Sequence, residues 1–289
     1  MVWGSVRIAI HLLFGAALLA IVFPFASPRT RERVIRSWSR KLLAICGVLP
    51  RVSGVASLEA LRSARFPRTM LVMNHISWID IAVVDSLRPA RFVAKSEVRA
   101  WPLIGYLCDR TGTIFIERGR RHAVHQANRV VAEVLRSGGL VAVFPEGTTT
   151  DGAVLLPFHA NLIQAAVDAG VPVRPAALRY FKLDDHGKER FTDAAAYIGE
   201  TSMVESLRMI LRSRPLIADL RLLEPIDTAG LTRHQVANRA RRAIAGELGI
   251  EADSDGSGGS RGIDSAVSLD DGLARTAPGT AFGPPDEPP

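Results

Sequence analysis

A histidine and an aspartate five positions apart offer the clearest chemistry in this chain. His75 and Asp80 lie in the segment NHISWID, directly after the apolar run LVM. On a regular helix five positions turn two side chains about 140° apart, so His75 reaches Asp80 only from a non-helical position before the helix begins. The carboxylate would then hold the Nδ1 proton and leave Nε2 for a substrate hydroxyl, as in a general base. Two unrelated residues at a helix start would show the same spacing.

Two further segments place polar residues after predicted strands. The run GLVAVF leads into PEGTTTDG, so Glu146, Gly147 and Thr148 follow a strand, at the edge where open α/β sheets bind ligands. Gly147 would let backbone N–H groups approach an anion. The run GTIFIE ends at Arg118, whose guanidinium suits a phosphate monoester. An ordinary turn is the simpler interpretation of PEGTTTDG taken alone. A solvated surface charge is the alternative for Arg118, but its place at the end of a strand favours binding.

Lys95 follows a third predicted strand, ARFVA, and precedes an apolar stretch that contains Trp101 and Leu103. A lysine beside exposed apolar residues suggests a lipid-facing wall. Core packing of the two apolar residues and an ordinary surface lysine fit the sequence equally well. The two cysteines, Cys46 and Cys108, form no C-x-x-C pair, so neither a disulfide framework nor a zinc site is predicted.

The elements that must position these residues alternate between short β-like runs and longer helical patterns. This alternation is typical of an α/β fold, here a mixed sheet flanked by helices. The predicted strands are 69–73, 90–94, 112–117, 139–144, 171–178 and 218–223, and the predicted helices are 77–87, 120–136 and 162–169.

The first 27 residues form a hydrophobic membrane segment by their composition. Residues 8–25 carry no formal charge over 18 positions, close to the shortest helix that crosses a hydrocarbon core of about 30 Å. The length allows either a transmembrane helix or a re-entrant helical pair. A cluster of basic residues follows it, as expected where a chain meets the cytoplasmic face of a membrane: Arg29, Arg31, Arg33, Arg36, Arg40 and Lys41.

Residues 28–50 have the pattern of a basic amphipathic helix. One face of that helix is apolar and the opposite face carries arginines, which predicts a helix lying in the headgroup plane. The apolar face consists of Val34, Ile35, Trp38, Leu42 and Ile45. The predicted helical N-terminal region is therefore membrane-associated along its whole length.

Charge is distributed unevenly along the chain. The formal net charge is +7, although residues 252–289 contain seven acidic and only two basic residues. A basic body attracts either nucleic acid or an anionic membrane, and the apolar N-terminal segment favours the membrane, so no nucleic-acid partner is expected. Residues 252–289 are rich in glycine and proline and poor in large apolar residues, which predicts a disordered acidic tail.

Four blocks, NHISWID, GTIFIER, FPEGT and VPVRPA, occur in this order over residues 74–176. Together they resemble the four motif blocks of the glycerolipid acyltransferases, most closely the bacterial 1-acylglycerol-3-phosphate (PlsC-type) branch. The resemblance covers about residues 50–225 and implies an acyltransferase domain at 51–251. Arg174 stands where the family pattern usually has an apolar residue, and Ala176 is smaller than usual, so the lining of the acyl-chain or donor region differs from the pattern.

The resemblance also implies residue roles. His75 and Asp80 match the catalytic dyad of the HX4D motif, while Arg118, Glu146, Gly147 and Thr148 match positions that hold the acyl acceptor. Lys95 or backbone N–H groups would stabilise the oxyanion.

The implied reaction transfers a fatty acyl group from an acyl-CoA or acyl carrier protein thioester to the sn-2 hydroxyl of 1-acylglycerol-3-phosphate, giving phosphatidate. It needs no metal or cofactor and no covalent enzyme intermediate, since no activated serine or cysteine accompanies the base. The expected location is the inner membrane, with the catalytic domain facing the cytoplasm.

Three other functions fit the same sequence. Bacterial members of the superfamily acylate other lyso-lipids, such as lyso-ornithine lipid, with similar motifs. A non-catalytic, membrane-anchored lipid-binding protein could keep the fold, although an intact His75 and Asp80 argue against it. A hydrolase would use His75 to activate water and would release free fatty acid.

Overall fold

A computed structural model of the protein describes residues 2–55, 61, 68–117 and 121–251. The helices are α1 (Val2–Ile21), α2 (Pro28–Cys46), α3 (Asp80–Leu87), α4 (Ile104–Thr111), α5 (Arg121–Arg136), α6 (Gln164–Ala169), α7 (Met203–Ser213) and α8 (Arg233–Leu248). The strands are β1 (Val48–Gly54), β2 (Met70–Met73), β3 (Arg91–Lys95), β4 (Ile114–Ile116), β5 (Val141–Val143), β6 (Val173–Leu183), β7 (Glu189–Phe191) and β8 (Leu216–Leu222). Short 3₁₀ helices occupy Phe23–Phe25 and Ser96–Ala100.

The strands form one mixed sheet in the order β1-β8-β6-β2-β5-β3-β4, with β7 paired to β6. The strands from β6 through β2, β5 and β3 to β4 pair in parallel, as do β1 and β8. The strand β6 pairs antiparallel with both β7 and β8. Because β2 and β5 are central, every residue in them is buried and apolar. The predicted mixed sheet flanked by helices is confirmed.

Helices cover both faces of the sheet. The helices α2, α3 and α7 pack on the face that carries Leu71 and Met73 of β2. The helices α5, α6 and α8 pack on the other face, which carries Met70 and Val72. Side chains alternate along β2, so this one strand contributes to both apolar clusters. The result is a three-layer core with its most buried strands in the middle.

The predicted elements are present with shifted ends. The strand β6 continues to Leu183, five residues beyond its predicted end at Leu178, because polar residues interrupt the apolar run without ending the pairing with β8. The helix α3 begins at Asp80 instead of Ser77, since residues 77–79 form a turn closed by the Asp80 N–H and the Ser77 carbonyl at 3.1 Å. The elements β1, β7, α4, α7 and α8 were not predicted.

The helices α1 and α2 form an antiparallel pair with a reciprocal contact between His11 and Trp38. The rings of His11 and Trp38 stack with centroids 4.8 Å apart, and each side chain hydrogen-bonds the other residue's carbonyl, at 3.0 and 3.1 Å. Gly15 permits this approach, because a Cβ there would lie 2.4 Å from the indole nitrogen. By length and composition the Trp3–Phe25 segment, with a mean hydropathy of 2.4, could cross a membrane.

The apolar face of α2 packs against protein, which differs from the predicted helix in the headgroup plane. Val34, Ile35 and Trp38 contact a cluster formed by α1 and α4, while Leu42 and Ile45 are buried against the sheet. Exposed apolar side chains lie instead on α1 and its following turn: Trp3, Val6, Ile10, Leu13, Phe14, Ile21 and Phe25. The strand β1 begins at Val48, so the predicted boundary after residue 50 falls inside it, and the predicted tail at 252–289 lies outside the described residues.

Candidate active site

Four parallel strands bring the predicted site residues to one edge of the sheet. The carboxyl ends of β2, β5, β3 and β4 point the same way. His75 follows β2, Glu146 follows the adjacent β5, and Lys95 ends β3, the next strand along. Arg118 comes shortly after β4 but lies outside the described residues. The sheet therefore gathers side chains from separate sequence blocks, as expected for ligand sites in α/β folds.

His75 and Asp80 are hydrogen-bonded. Nδ1 of His75 lies 2.8 Å from Oδ2 of Asp80, and the same oxygen accepts the backbone N–H groups of Ile76 and Ser77 at 2.8 and 2.9 Å. Because a carboxylate only accepts, Nδ1 carries the proton and Nε2 is the basic nitrogen. The Asp80 side chain is fully buried, whereas 19% of the His75 side chain is exposed. As the spacing predicted, His75 precedes the helix that Asp80 begins.

Tyr180 completes the surroundings of the aspartate. Its hydroxyl donates to Oδ1 of Asp80 at 2.6 Å, and both side chains are buried. Burial and the neighbouring Asp80 charge hold the pKa of Tyr180 well above its usual value, so the phenol stays a donor. Sequence reasoning missed this residue because the strand was predicted to end two residues earlier.

The imidazole of His75 lies flat against an aromatic ring. The ring centroids of His75 and Phe144 are 3.9 Å apart, and the two rings are 16° from parallel. The ring of Phe92 also stacks with Phe144, at a centroid distance of 6.0 Å. Stacking limits the rotation of the imidazole, which keeps Nδ1 on Asp80. The sequence did contain Phe144, as the last residue of a predicted strand, but gave no indication of its contact with His75.

The carboxylate of Glu146 faces the protein. Its two oxygens accept the backbone N–H groups of His75 at 2.8 Å and Leu156 at 3.0 Å, and only 4% of the residue is exposed. Burial raises the pKa of Glu146, and these two N–H donors partly oppose that effect. The geometry thus shows Glu146 fixing the backbone at His75, which differs from the acceptor-holding role implied by the family resemblance.

The residues after Glu146 form a turn and then a loop that lies beside His75. Gly147 has a φ of +70°, and its N–H donates to the Phe144 carbonyl at 3.1 Å. Thr148 is exposed at the edge of the sheet, where a ligand can reach it. The N–H of Thr150 then donates to the His75 carbonyl at 2.8 Å. The loop therefore binds the backbone of His75 a second time.

The segment after β3 connects the site to the N-terminal helices α1 and α2. Lys95 and Trp101 are exposed. Leu103 has a φ of +64°, a left-handed value that is rare for a branched residue, and packs into the cluster formed by α1, α2 and α4. Of the two predicted wall residues, Trp101 is available for a lipid-facing role and Leu103 is largely a packing residue.

The two departures from the family pattern lie inside the sheet. Arg174 is buried on β6, and its Nη1 donates to the Leu223 carbonyl at 2.9 Å. Ala176 is fully buried opposite Met73 of β2. Both positions serve the packing of β6 against its neighbours. Within the described residues, no group of three His, Cys, Asp or Glu side chains is placed to hold a metal ion.

Comparison with known proteins agrees with this geometry. The sequence profile of the acyltransferase family matches residues 56–179. The lyso-ornithine lipid O-acyltransferase of Pseudomonas aeruginosa is 38% identical over 218 residues, which cover 74% of this chain and 78% of the relative. The 1-acyl-sn-glycerol-3-phosphate acyltransferase of Neisseria meningitidis is 38% identical over 174 residues, covering 60% of this chain and 64% of that enzyme, slightly under two thirds of its length.

A solved structure extends the comparison to the fold. The crystal structure of the 1-acyl-sn-glycerophosphate (LPA) acyltransferase PlsC from Thermotoga maritima superposes with a TM-score of 0.59 at 20% identity, covering 88% of this chain and 96% of the other. The shared sheet, the family profile and a relative aligned over most of both chains agree on one assignment. The chain belongs to the glycerolipid acyltransferase family and is an acyltransferase.

Proposed function

We propose that this protein transfers a fatty acyl group from an acyl thioester to the sn-2 hydroxyl of 1-acylglycerol-3-phosphate, giving phosphatidate. The observation that carries this proposal is the dyad, in which a buried aspartate orients the exposed edge of a histidine. The Neisseria meningitidis relative, named for this activity, supports the choice of acceptor.

In the proposed mechanism His75 acts as a general base. Nε2 takes the acceptor's hydroxyl proton as the hydroxyl oxygen attacks the thioester carbonyl carbon. Asp80 stabilises the imidazolium that forms, and the fixed imidazole needs no reorganisation. When the tetrahedral intermediate collapses, the C–S bond breaks and the proton on Nε2 passes to the departing thiolate sulfur. The products are the new ester and the free thiol of the carrier.

The remaining site residues are assigned to substrate, except for Glu146. We assign Arg118 and Thr148 to the phosphate of the acceptor, and Lys95 or backbone N–H groups to the oxyanion. Glu146 is assigned a positioning role, since both of its oxygens already bind backbone N–H groups. The acyl donor is proposed to be acyl-CoA or acyl carrier protein, and no further cofactor or metal is required.

Direct transfer without a covalent enzyme intermediate is supported by the cysteines. Burial raises the pKa of the Cys46 thiol to about 12, and burial also raises the pKa of Cys108. A thiol must ionise to act as a nucleophile, so neither cysteine is activated for acyl transfer.

We propose that the enzyme works at the inner membrane with its catalytic domain on the cytoplasmic side. The exposed apolar face of α1 supports insertion into lipid, and the arginines on α2 support contact with anionic headgroups. Both helices pack next to the segment that leads into β4, so a lipid acceptor would reach the site from the membrane surface.

A second acceptor is favoured by a separate observation. The Pseudomonas aeruginosa relative, named for lyso-ornithine lipid, aligns over 74% of this chain, compared with 60% for the Neisseria meningitidis enzyme. The same dyad would acylate the free hydroxyl of lyso-ornithine lipid by the same steps. Only the contacts to the acceptor's headgroup would differ.

One experiment separates these proposals. Detergent-purified protein is given labelled acyl-CoA and acyl carrier protein thioesters with lysophosphatidate, other lysophospholipids and lyso-ornithine lipid in turn, beside the folded His75→Ala variant. We expect conversion of lysophosphatidate and a loss of at least about a thousandfold in His75→Ala, because the base is removed.

Each other outcome has a defined meaning. Conversion of lyso-ornithine lipid alone would retain the mechanism and replace the acceptor. Free fatty acid without acylated acceptor would identify a hydrolase. Acceptor binding without turnover from either donor would indicate a lipid-binding protein, and full activity in His75→Ala would exclude the general base.

A further inference from the structure

A tyrosine outside the family's motif blocks contacts the dyad. Tyr180 lies on β6, two residues beyond the last predicted residue of that strand, and its hydroxyl is 2.6 Å from Oδ1 of Asp80. Neither side chain is exposed to solvent. The other three donors to this carboxylate, from His75, Ile76 and Ser77, all use Oδ2. Among the described residues, Oδ1 receives its hydrogen bond from Tyr180 alone.

This division of donors has a chemical consequence. A hydrogen bond on Oδ1 draws negative charge away from Oδ2, the oxygen that faces the imidazole. If the Tyr180 hydroxyl were removed, Oδ1 would remain buried without solvent, and the carboxylate would gain more from a proton on the histidine. The dyad would then take up its proton at a higher pH.

Within the described part of the chain, two other ionisable groups act on this cluster. Glu146, from the loop after β5, acts on both His75 and Asp80, and Cys46, from the end of α2, acts on Tyr180. Burial raises the pKa of Cys46 to about 12, so its thiol is neutral in the range where the enzyme works. Glu146 is held by backbone N–H groups that a change at Tyr180 leaves in place.

We propose that Tyr180 is a positioning residue for the acyl transfer proposed above, and that its hydroxyl, by sharing the negative charge of Asp80, weakens the hold of Asp80 on the dyad proton. Tyr180 acts through Asp80 and touches no reacting atom. This inference rests on the proposed function only for its effect on rate, since the proton affinity of the dyad is measurable without substrate.

The test compares Tyr180→Phe with Tyr106→Phe, which removes a phenol from an exposed tyrosine on α4. His75 is titrated by NMR in ¹⁵N-histidine-labelled protein without substrate, and kcat/KM is measured from pH 5.5 to 9 with the preferred acceptor. For Tyr180→Phe we expect the midpoint of the His75 NMR titration and the midpoint of the kcat/KM pH profile to move up by about 0.5–1 pH unit. The reason is that the Asp80 carboxylate loses a hydrogen-bond donor. Activity should then fall by up to about three- to tenfold at the acid end of this range and by less than about twofold at pH 9, because the protonated imidazole is not a base.

The outcomes are distinguishable. A His75 titration within about 0.2 pH unit of wild type, or an equal loss of activity at every pH, would overturn the proposal, since a merely structural role lowers activity evenly. Absence of acyl transfer by the wild type would refute the proposed function, while the NMR titration would still decide the role of Tyr180.

If Tyr180→Phe does not fold, 3-fluorotyrosine at position 180 keeps the packing. Its more acidic hydroxyl should shift the titration down, and an unchanged titration would again overturn the proposal.

Discussion

The two ends of α3 carry two buried aspartates in opposite surroundings. Asp80, at the first residue of the helix, accepts four hydrogen bonds from described residues. Asp85, near the last residue, accepts one within the described part of the chain, from the Ala90 N–H at 3.0 Å. Burial raises the pKa of Asp85 to about 7, and that single donor only partly opposes the effect.

The difference shows that burial alone does not make a useful carboxylate. The start of a helix offers free N–H groups and a positive dipole end, both of which favour a negative charge. The last turn offers carbonyl oxygens and the negative end, which favour the neutral acid. Glu146 lies between the two extremes, with two backbone donors and a raised pKa. The number and direction of the hydrogen-bond donors, more than the extent of burial, distinguish the Asp80 carboxylate from the other two.

The largest expected difference comes from making the same substitution, aspartate to asparagine, at both ends of α3. Asp80→Asn should lower kcat/KM by at least about a hundredfold, because a neutral amide cannot stabilise the imidazolium. The fold should survive, since the amide oxygen can still accept from Ile76 and Ser77, and the Tyr180 hydroxyl can turn to accept from the amide nitrogen. Activity assays and thermal melts check both parts.

The matched control is Asp85→Asn, which makes the same chemical change five residues away. Activity should stay within about twofold of wild type, because the hydrogen bond that Asp85 accepts among the described residues comes from Ala90, outside the site. Equal losses in the two variants would show that a general disturbance of α3, and not the charge on Asp80, accounts for the effect.

The next largest effect should come from Glu146. Glu146→Ala should lower kcat about ten- to a hundredfold with little change in the acceptor's KM, because the lost contacts position His75 and do not bind substrate. Glu146→Gln, which keeps one accepting oxygen, should recover part of the loss.

Thr148→Ala is the comparison for Glu146, since Thr148 is exposed at the same edge of the sheet. If Thr148 holds the acceptor, its variant should raise KM while kcat stays close to wild type. A rise in KM for Glu146→Ala of the same size would instead support the acceptor-binding role that the family resemblance implies.

The sequence predicted the parts of this site that depend on order along the chain. The strand runs before His75 and Glu146 were recognisable because central strands are continuous apolar segments. The spacing of His75 and Asp80 required a non-helical histidine, and the structure has one. These inferences use neighbours within a few residues, where local patterns carry the information.

Contacts between distant segments were not predictable in the same way. Tyr180 is 100 residues from Asp80, and Phe144 is 69 residues from His75, so no local pattern relates them. The apolar face of α2 was predicted to lie in the headgroup plane because periodicity shows that a face is apolar without showing what covers it. The register of the strands and the packing of the helices determine which of these distant residues come into contact.

The smallest expected effect distinguishes Asp85 from Asp80 by its influence on the stability of the fold and not on the reaction rate. Asp85 has a higher pKa in the folded state, about 7, than in an unfolded chain, so its protonation favours folding. That contribution is complete below the unfolded-state pKa and is lost as the pH rises through 7. Wild type should therefore melt at a lower temperature at pH 8 than at pH 5, and Asp85→Asn should remove part of this difference.

At pH 8 the melting temperature of Asp85→Asn should exceed that of wild type by about 2–4 °C, corresponding to about 1 kcal/mol for a domain of this size. Glu133→Gln, which removes an exposed negative charge on α5, controls for the change in net charge and should leave the pH dependence unaltered. If Asp85→Asn melts lower than wild type at pH 8, the ionised carboxylate at the end of α3 stabilises the fold. The contrast with Asp80 would then rest on catalysis alone, because a helix end with one donor would tolerate the charge as well as a helix start with four.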